Sequence, residues 1–188
     1  MKNFFIKVYF KFLDVSQTIL FFASGLLILY MFVIQPHEVS GSSMYPTFHD
    51  KEFLLSYLLD VRFHLIYHGD VVVFHAPKEA DKLYIKRVIG LPGDKVKVED
   101  GLVYVNGKKL DEKSYLNSTV ATYGGTFLHD GEEITVPSES LCVMGDNRPF
   151  SSDSREWGFV SFEKLIGRSM VRIWPPQTLT WIPRNPYK

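Results

Sequence analysis

One long apolar segment near the amino terminus limits the folds that this chain can adopt. Residues 15–36, VSQTILFFASGLLILYMFVIQP, contain no Lys, Arg, Asp, Glu or His. A helix rises about 1.5 Å per residue, so about 20 such residues cross a hydrocarbon layer about 30 Å thick. The segment therefore predicts a transmembrane anchor helix over residues 15–36.

The charges before this segment predict its orientation. Residues 1–14 contain three lysines and one acidic residue. Positive charge favours the cytoplasmic side, so residues 1–14 are expected to be cytoplasmic and residues 37–188 to be exported. A cleavable signal peptide is the alternative, but its apolar region spans only about 7–15 residues. We expect an uncleaved anchor, because the bulky run LYMFVI continues almost to Pro36.

Charge balance and cysteine content argue against other classes of protein. The chain of 188 residues carries 21 basic and 21 acidic side chains. This balance does not favour a nucleic-acid-binding surface, which is usually strongly basic. The single cysteine, Cys142, cannot form an internal disulfide bond and stands in the apolar run LCVMG. We expect it to pack in the core.

After Pro36 the sequence has the pattern of short strands separated by turns. The dipeptides Asp100-Gly101 and Asn106-Gly107 favour type I′ hairpin turns, because both turn residues need a positive φ. Residues 111–131 are polar and glycine-containing, and predict little regular structure. The exported part is therefore expected to be a mainly antiparallel β domain, with strands in the apolar or alternating runs 69–74, 83–90, 95–110, 133–146 and 164–175.

Two adjacent serines follow the apolar segment in GSSMYPTF, residues 41–48. Gly, Ser and Pro are common turn residues, so the stretch fits an ordinary turn. It also fits the site of a nucleophilic serine, which needs a neighbouring base to take its proton. None of the six histidines stands in a recognisable catalytic triad. A lysine is the alternative base.

Lys86 stands in the apolar run LYIKRVIG. A free lysine has a pKa of about 10.4 and is protonated at pH 7, but burial lowers the pKa of an amine. Strand alternation gives Lys86 the same face as Tyr84 and Val88, while Ile85 and Arg87 take the other face. From this stretch alone, Lys86 is either a buried base or an edge lysine whose ammonium extends to solvent.

Four stretches together resemble, in order and spacing, the sequence boxes of bacterial type I signal peptidases. They are GSSMYPTF, GDVVVF, YIKRVIGLPGD and MGDNRPFSSDSREWG. The family consists of membrane-anchored serine proteases with a Ser/Lys dyad. The resemblance extends from the anchor to about Pro175 and implies an antiparallel β catalytic domain of the signal-peptidase type. One anchor and a compact domain resemble the Gram-positive form.

The resemblance implies a role for each matching residue. Ser43, the serine before Met44, corresponds to the nucleophile, and Lys86 corresponds to the general base. Ser151 and Asp153 correspond to the residues that orient the lysine. Four other charged residues of these boxes are expected to form a buried structural ion network: Arg87, Asp146, Arg148 and Arg155. Pro149-Phe150 stand between the DNR stretch and Ser151, where the family commonly has polar residues, so the loop shape is expected to differ.

The oxyanion hole is the least defined part of the resemblance. Many Gram-negative members carry a serine two positions before the nucleophile, and this chain has Gly41 there. The hole is then expected to rest on the Ser43 backbone N–H and a second donor, with support from Gly41 or Ser42. The walls of the substrate pocket are expected to include Met44, Tyr84 and Ile85.

The resemblance implies removal of signal peptides from exported preproteins at the outer face of the cytoplasmic (inner) membrane. The substrates are expected to have small residues at the first and third positions before the cut. No cofactor and no metal is implied, and the expected partners are preproteins and the lipid bilayer. Two other hypotheses are a self-cleaving Ser/Lys protease of the SOS-repressor type and an anchored β-rich binding domain. The first predicts a DNA-binding domain and an internal Ala-Gly cleavage point, and the second predicts that Ser43→Ala and Lys86→Ala are silent.

Overall fold

The computed structural model describes residues 2–77, 79, 81–117 and 119–184. Helix α1 (Lys2–Phe32) contains the apolar segment, and its residues from Phe4 onward are long and apolar enough to cross a membrane. The helix begins earlier and ends earlier than the anchor predicted over residues 15–36. Its carboxyl end is set at Phe32 because the chain then pairs with a strand, starting at Ile34.

The rest of the described chain consists mainly of short strands with two short helices, α2 (Leu59–Arg62) and α3 (Ser154–Trp157). The strands are β1 (Ile34–Glu38), β2 (Phe53–Tyr57), β3 (Val71–His75), β4 (Leu83–Gly90), β5 (Lys95–Glu99), β6 (Leu102–Val105), β7 (Lys108–Lys109), β8 (Glu133–Thr135), β9 (Ser140–Met144), β10 (Val160–Ser161), β11 (Leu165–Trp174) and β12 (Thr180–Trp181).

These strands form two antiparallel sheets. The large sheet has the order β1-β2-β11-β3-β4-β9-β10, and β12 pairs with β11. The small sheet has the order β7-β6-β5-β8. An antiparallel, mainly β domain after one apolar helix is the fold class that the sequence predicted, so that prediction is confirmed.

The small sheet contains both predicted hairpins. Asp100 and Gly101 have φ values of 52° and 76°, and they connect β5 to β6. Asn106 and Gly107 have φ values of 53° and 73°, and they connect β6 to β7. Both dipeptides therefore have the positive φ that a type I′ turn needs at its two central residues.

Buried side chains cover both faces of β3 and β4. Val72 and Val88 belong to one cluster, while Val73 and Ile85 belong to a second cluster together with Met44. The second cluster therefore attaches the serine-bearing loop to the face of the sheet. A third cluster lies between the large and small sheets and includes Ile89, Val96, Val98 and Met144.

Two strand edges remain open beside the serine loop. β1 is the last strand of the large sheet on its side. β4 pairs with β9 only between Arg87 and Gly90, so its first half, Leu83 to Lys86, lacks a neighbour on that side among the described strands. An extended peptide binds such edges by adding hydrogen bonds to the backbone.

Candidate active site

Ser43 and Lys86 lie together at the open half of β4. Lys86 Nζ donates a hydrogen bond to Ser43 Oγ across 2.6 Å. Lys86 is 4% exposed, and its amine lies 5.4 Å from the centre of the Tyr84 ring. Once the amine loses its proton, the same contact allows the serine hydroxyl to donate to Nζ. This geometry is the one that a serine nucleophile and its base require.

Burial lowers the pKa of Lys86 to about 8. Removal from water is the largest cause, because it penalises the charged ammonium. The carboxylates of Asp153 and Asp146 oppose this effect by raising the pKa, and Arg155 adds to the lowering. A sizeable fraction of Lys86 is therefore neutral near physiological pH, as a general base must be.

The end of β9 fixes the position of the serine loop. Asn147 N donates to Ser43 O at 3.0 Å, and Asn147 Nδ2 donates to Ser42 O at 3.0 Å. On the other side of the loop, Met44 is buried in the second cluster. The sequence analysis missed Asn147, although it belongs to the GDNR stretch that carries the resemblance.

Asp146 connects the serine loop to the strand of the base. It accepts two hydrogen bonds from Arg87, at 2.8 Å from Nε and 2.6 Å from Nη2. It also accepts from Thr47 Oγ1 at 2.5 Å. Arg87 follows Lys86 on β4 and Thr47 lies four residues after Ser43 in the loop, so Asp146 links the two segments that carry the catalytic candidates. The sequence analysis had not identified Thr47.

Asp153 lies behind the base and is held by Arg155. Arg155 donates to both carboxylate oxygens, with 2.8 Å from Nε and 2.8 Å from Nη2, and Gly145 N donates at 3.0 Å. Burial favours a raised pKa for Asp153, but Arg155 and the Gly145 N–H outweigh it and keep the pKa below its ordinary value. Asp153 is therefore ionised and acts on Lys86 through its charge.

Ser151 lies in the same loop with its hydroxyl buried. Among the residues that the structure describes, Ser151 Oγ has no hydrogen-bond partner. Gly145 packs against both Ser151 and the Ser43 carbonyl. A Cβ built on this glycine would lie 2.5 Å from Ser43 O and 2.6 Å from Ser151 Cβ. The hydroxyl proposed to orient the lysine is thus close to the dyad but is not bonded to it.

The charged residues expected to form a network form three ion pairs, and Arg155 Nη2 also donates to Arg148 O at 2.8 Å. Arg87 pairs with Asp146, and Arg155 pairs with Asp153. Arg148 pairs with Glu112, which comes from the irregular segment between β7 and β8. Arg148 also donates to Thr122 Oγ1 at 2.6 Å and to Gly145 O at 3.0 Å. No local pattern pointed to Glu112 or Thr122, which lie 36 and 26 residues from Arg148 in the chain.

Gly41 bends the chain just before the nucleophile. Its φ is +86°, in the region that favours glycine, and its N–H donates to Asp50 Oδ1 at 2.7 Å. This N–H is therefore engaged and unavailable to an oxyanion. Within the described part of the chain, the N–H of Ser43 has no acceptor.

A cavity of about 200 Å³ opens beside the dyad. The pocket walls expected from the sequence, Met44, Tyr84 and Ile85, all line it. The other lining residues are Glu38, Val39, Ser40, Ser43, Leu83, Lys86 and Ser152. A larger cavity of about 370 Å³ lies behind the serine loop and is lined by neither dyad residue. The smaller cavity is the candidate substrate pocket because the reactive groups face it.

Cys142 packs in the third cluster and is fully buried. Burial raises the pKa of its thiol to about 12, so it is a protonated core residue rather than a nucleophile. In the part of the chain that the structure describes, no three His, Cys, Asp or Glu side chains are grouped so that they can hold a metal ion.

A β domain that brings a serine hydroxyl to a buried, partly neutral lysine defines a serine protease of the Ser/Lys class. The family model described as "Signal peptidase, peptidase S26" matches residues 12–174, and the chain belongs to this family. It is a bacterial type I signal peptidase, a serine endopeptidase that removes signal peptides from preproteins. The family, activity and enzyme class expected from the four stretches are confirmed.

Two relatives are similar over most of the chain. Signal peptidase IB of Staphylococcus aureus (strain COL) is 34% identical over 176 residues, covering 86% of this chain and 91% of that protein. A probable signal peptidase I-2 of Synechocystis is 41% identical over 150 residues, covering 77% of this chain and 65% of that protein. A solved signal peptidase I from Enterococcus faecalis is 29% identical in sequence and has a TM-score of 0.43. The match covers 55% of this chain and 95% of that chain.

Proposed function

We propose that the protein cleaves exported preproteins at the outer face of the cytoplasmic membrane, with Ser43 as nucleophile and Lys86 as general base. The hydrogen bond of 2.6 Å between Lys86 Nζ and Ser43 Oγ carries this proposal. It is supported by the burial that keeps the pKa of Lys86 at about 8. No histidine appears among the residues that line the substrate pocket.

The reaction proceeds through an acyl-enzyme. Neutral Lys86 takes the proton of Ser43 as Oγ attacks the scissile carbonyl, and the Ser43 N–H binds the oxyanion. The ammonium then gives its proton to the leaving amine, and the neutral lysine activates the water that releases the acyl group. Ser43 and Lys86 both take part in the acylation step and in the deacylation step, so loss of either residue stops both steps.

Ser151 and Asp153 support the base. The negative charge of Asp153 favours the ammonium that forms during the attack, which matches its effect of raising the pKa of Lys86. In this proposal the buried Ser151 hydroxyl, which lies beside Gly145 and the Ser43 carbonyl, accepts a hydrogen bond from that ammonium. Arg87, Asp146, Arg148 and Arg155 act in holding the loops rather than in proton transfer.

The substrate lies as an extended strand along the open edges of β1 and β4. Alternate side chains of a strand point to the same side, so the first and third residues before the cut face the pocket. The pocket holds about 200 Å³ and is walled by Met44, Tyr84 and Ile85, which suits small side chains. This agrees with the small residues that the resemblance implies at these two positions.

Helix α1 anchors the domain in the bilayer with residues 1–14 inside and the β domain outside. The uncharged part of the helix, from Val15 to Phe32, is about 27 Å long, close to the thickness of a hydrocarbon layer. Residues of α1 are exposed along its length in the structure, as expected of a surface that faces lipid. The anchor keeps Ser43 near the membrane surface, where a cleavage point emerges.

Cleavage of a preprotein with a small-x-small site by the detergent-solubilised full chain tests this assignment. Wild type and Ser42→Ala are expected to cut, whereas Ser43→Ala and Lys86→Ala are expected to lose cleavage and still to fold, as shown by a cooperative thermal unfolding transition. Full cleavage by Ser43→Ala contradicts the assignment. An anchored binding domain predicts instead that both dyad variants behave as wild type.

A further inference from the structure

The wall of the substrate pocket carries an exposed negative charge. Glu38, the last residue of β1, lines the cavity beside the dyad, and its side chain is 43% exposed. Lys86 is the only other charged residue among the described lining residues, and its amine is buried and bonded to Ser43. A peptide that enters this pocket therefore meets one exposed charge on its wall, and that charge is negative.

Glu38 has a partner that a substrate can replace. Lys51 Nζ donates to Glu38 Oε1 at 3.2 Å, and the lysine side chain is 75% exposed. An exposed ion pair of this kind contributes little to stability, because water screens both charges. A basic side chain of a bound peptide can therefore take the place of Lys51 at the carboxylate with little loss to the fold.

Strand alternation determines which residues of a bound preprotein lie on the same face as Glu38. His37 pairs with Leu54, a member of the second core cluster, so Glu38, the next residue of β1, projects from the opposite face. Met44 and Ile85 belong to the second cluster. A peptide added to the edge of β1, with its first and third side chains against Met44 and Ile85, has its second and fourth side chains on the face of Glu38.

A second carboxylate lies close to the pocket and adds to its negative charge. Ser152, which lines the cavity, donates to Glu156 Oε2 at 2.6 Å. Glu156 is exposed on α3, and among the residues that the structure describes no basic side chain pairs with it. The electrostatic surroundings of the pocket therefore favour a basic side chain over an acidic one.

We propose that Glu38 selects preproteins with a basic side chain at the second or fourth position before the cut, and disfavours an acidic side chain there. This selection rests on the proposed function and adds charge to its substrate preference. The first and third side chains are chosen by size, whereas Glu38 acts on the side chains between them. Lysine and arginine suit this role, because their long stems carry the charge from an extended backbone to a neighbouring carboxylate.

Peptide substrates that differ in one charge test this selection. A small-x-small peptide is made with Lys or Glu at the second position before the cut, at the fourth, or, as a control, at the second position after the cut. The full chain in a non-ionic detergent is assayed on each peptide. We expect kcat/KM to be about fivefold higher for Lys than for Glu at the second or fourth position, and within about twofold after the cut. Equal ratios at all three positions overturn the proposal, because they reflect only the net charge of the peptide.

Variants of the ion pair assign the effect to Glu38. In Glu38→Gln we expect the Lys-over-Glu ratio to fall to within about twofold of unity, and in Glu38→Lys to invert. Lys51→Gln frees the carboxylate and is expected to raise the ratio above that of the wild type. Glu133→Gln is the matched control with a wild-type ratio, since Glu133 is 42% exposed and lies 3.1 Å from Lys95 in the small sheet. An unchanged ratio in Glu38→Gln, or an equal fall in Glu133→Gln, overturns the proposal.

Salt and the dyad variant separate this selection from the proposed function. Salt screens exposed charges, so the wild-type ratio is expected to fall toward unity at about 1 M salt, and a ratio that salt does not change contradicts an effect of charge. Cleavage of the small-x-small peptide by Ser43→Ala contradicts the proposed function. Cleavage that needs Ser43 but has the same ratio in wild type and Glu38→Gln contradicts only the selection by Glu38.

Discussion

Lys86 Nζ and Ser43 Oγ lie 2.6 Å apart although 43 residues separate them in the chain. Lys86 is on a strand at the centre of the large sheet, and Ser43 is on an irregular loop at its face. The end of β9 joins the two, because Asp146 binds Arg87 and Thr47 while Asn147 binds the Ser43 carbonyl. Such preorganisation reduces the free energy needed to bring nucleophile and base together.

The pH dependence of cleavage is expected to follow the titration of Lys86. Its pKa is lowered to about 8, and only the neutral amine accepts the serine proton. The ratio kcat/KM should therefore rise with pH through about 8 and fall about tenfold per pH unit below it. Initial rates on a soluble peptide measured against pH check this, and a flat profile between pH 6 and about 9 contradicts it.

Asp153→Asn is expected to move this pH profile to lower pH. The Asp153 charge raises the pKa of Lys86, so its removal lets burial and Arg155 lower the pKa further. The same change leaves the buried Arg155 without its carboxylate, so the free energy of unfolding also falls. Denaturant unfolding measures the loss of stability, and initial rates against pH measure the shift of the profile. A purely structural role of Asp153 lowers the stability without shifting the pH profile.

Lys86→Met is expected to lose activity and gain stability at pH 7. A pKa lowered from 10.5 to about 8 means that folding disfavours the ammonium, which corresponds to about 3 kcal/mol. Between pH 8 and 10.5 the unfolded wild type holds a proton that the folded wild type has lost. Wild-type stability therefore rises with pH in this window, and the advantage of the variant should shrink. Denaturant unfolding of wild type and variant at pH 7 and at pH 10 measures the stability difference at each pH. A difference that does not shrink at pH 10 contradicts the prediction.

Asp146→Ala is expected to destabilise the fold by about 3–5 kcal/mol, because it removes the carboxylate that balances the buried charge of Arg87. It also frees Thr47, so residual activity should fall more than the population of folded protein does. The double variant Asp146→Ala, Arg87→Met also removes the buried positive charge and should recover part of the stability without the activity. Recovery of both by the double variant contradicts a role for Asp146 in positioning the serine loop.

Gly145→Ala is expected to abolish cleavage. The added Cβ meets the Ser43 carbonyl at 2.5 Å and overlaps Ser151, so the serine loop must shift. Gly93→Ala is the matched control for activity, because a Cβ there meets nothing within 4 Å although its φ of +85° adds strain. Wild-type cleavage by Gly145→Ala contradicts the close packing of this glycine against the serine loop.

The sequence predicted the local features of the fold and missed the long-range ones. Both hairpin turns followed from their own dipeptides, and β4 matches the run from Leu83 to Gly90 because alternation is a local signal. The helix end at Phe32 differed from the expected end of the anchor because pairing with β2 decides it. Composition alone contains no information about such a partner.

The candidate site likewise contains residues that the sequence identified and residues that only the folded chain brings together. Ser43 and Lys86 were identified through a resemblance across four separated stretches, since no local pattern connects a turn to a distant strand. Asp50 was missed because its contact with Gly41 is a single hydrogen bond from an exposed loop. Glu112 was missed because the irregular segment that carries it gives no periodic signal, and only the folded chain brings it to Arg148.

The acyl-enzyme itself tests the central claim most directly. A peptide ester with a small-x-small sequence is mixed with the full chain, the reaction is stopped within one turnover, and the modified residue is mapped by mass spectrometry. We predict an acyl group on Ser43, none on Ser42, and none at all in Lys86→Ala. An acyl group on any other residue, or on Ser43 at the wild-type rate in Lys86→Ala, contradicts the Ser43/Lys86 dyad.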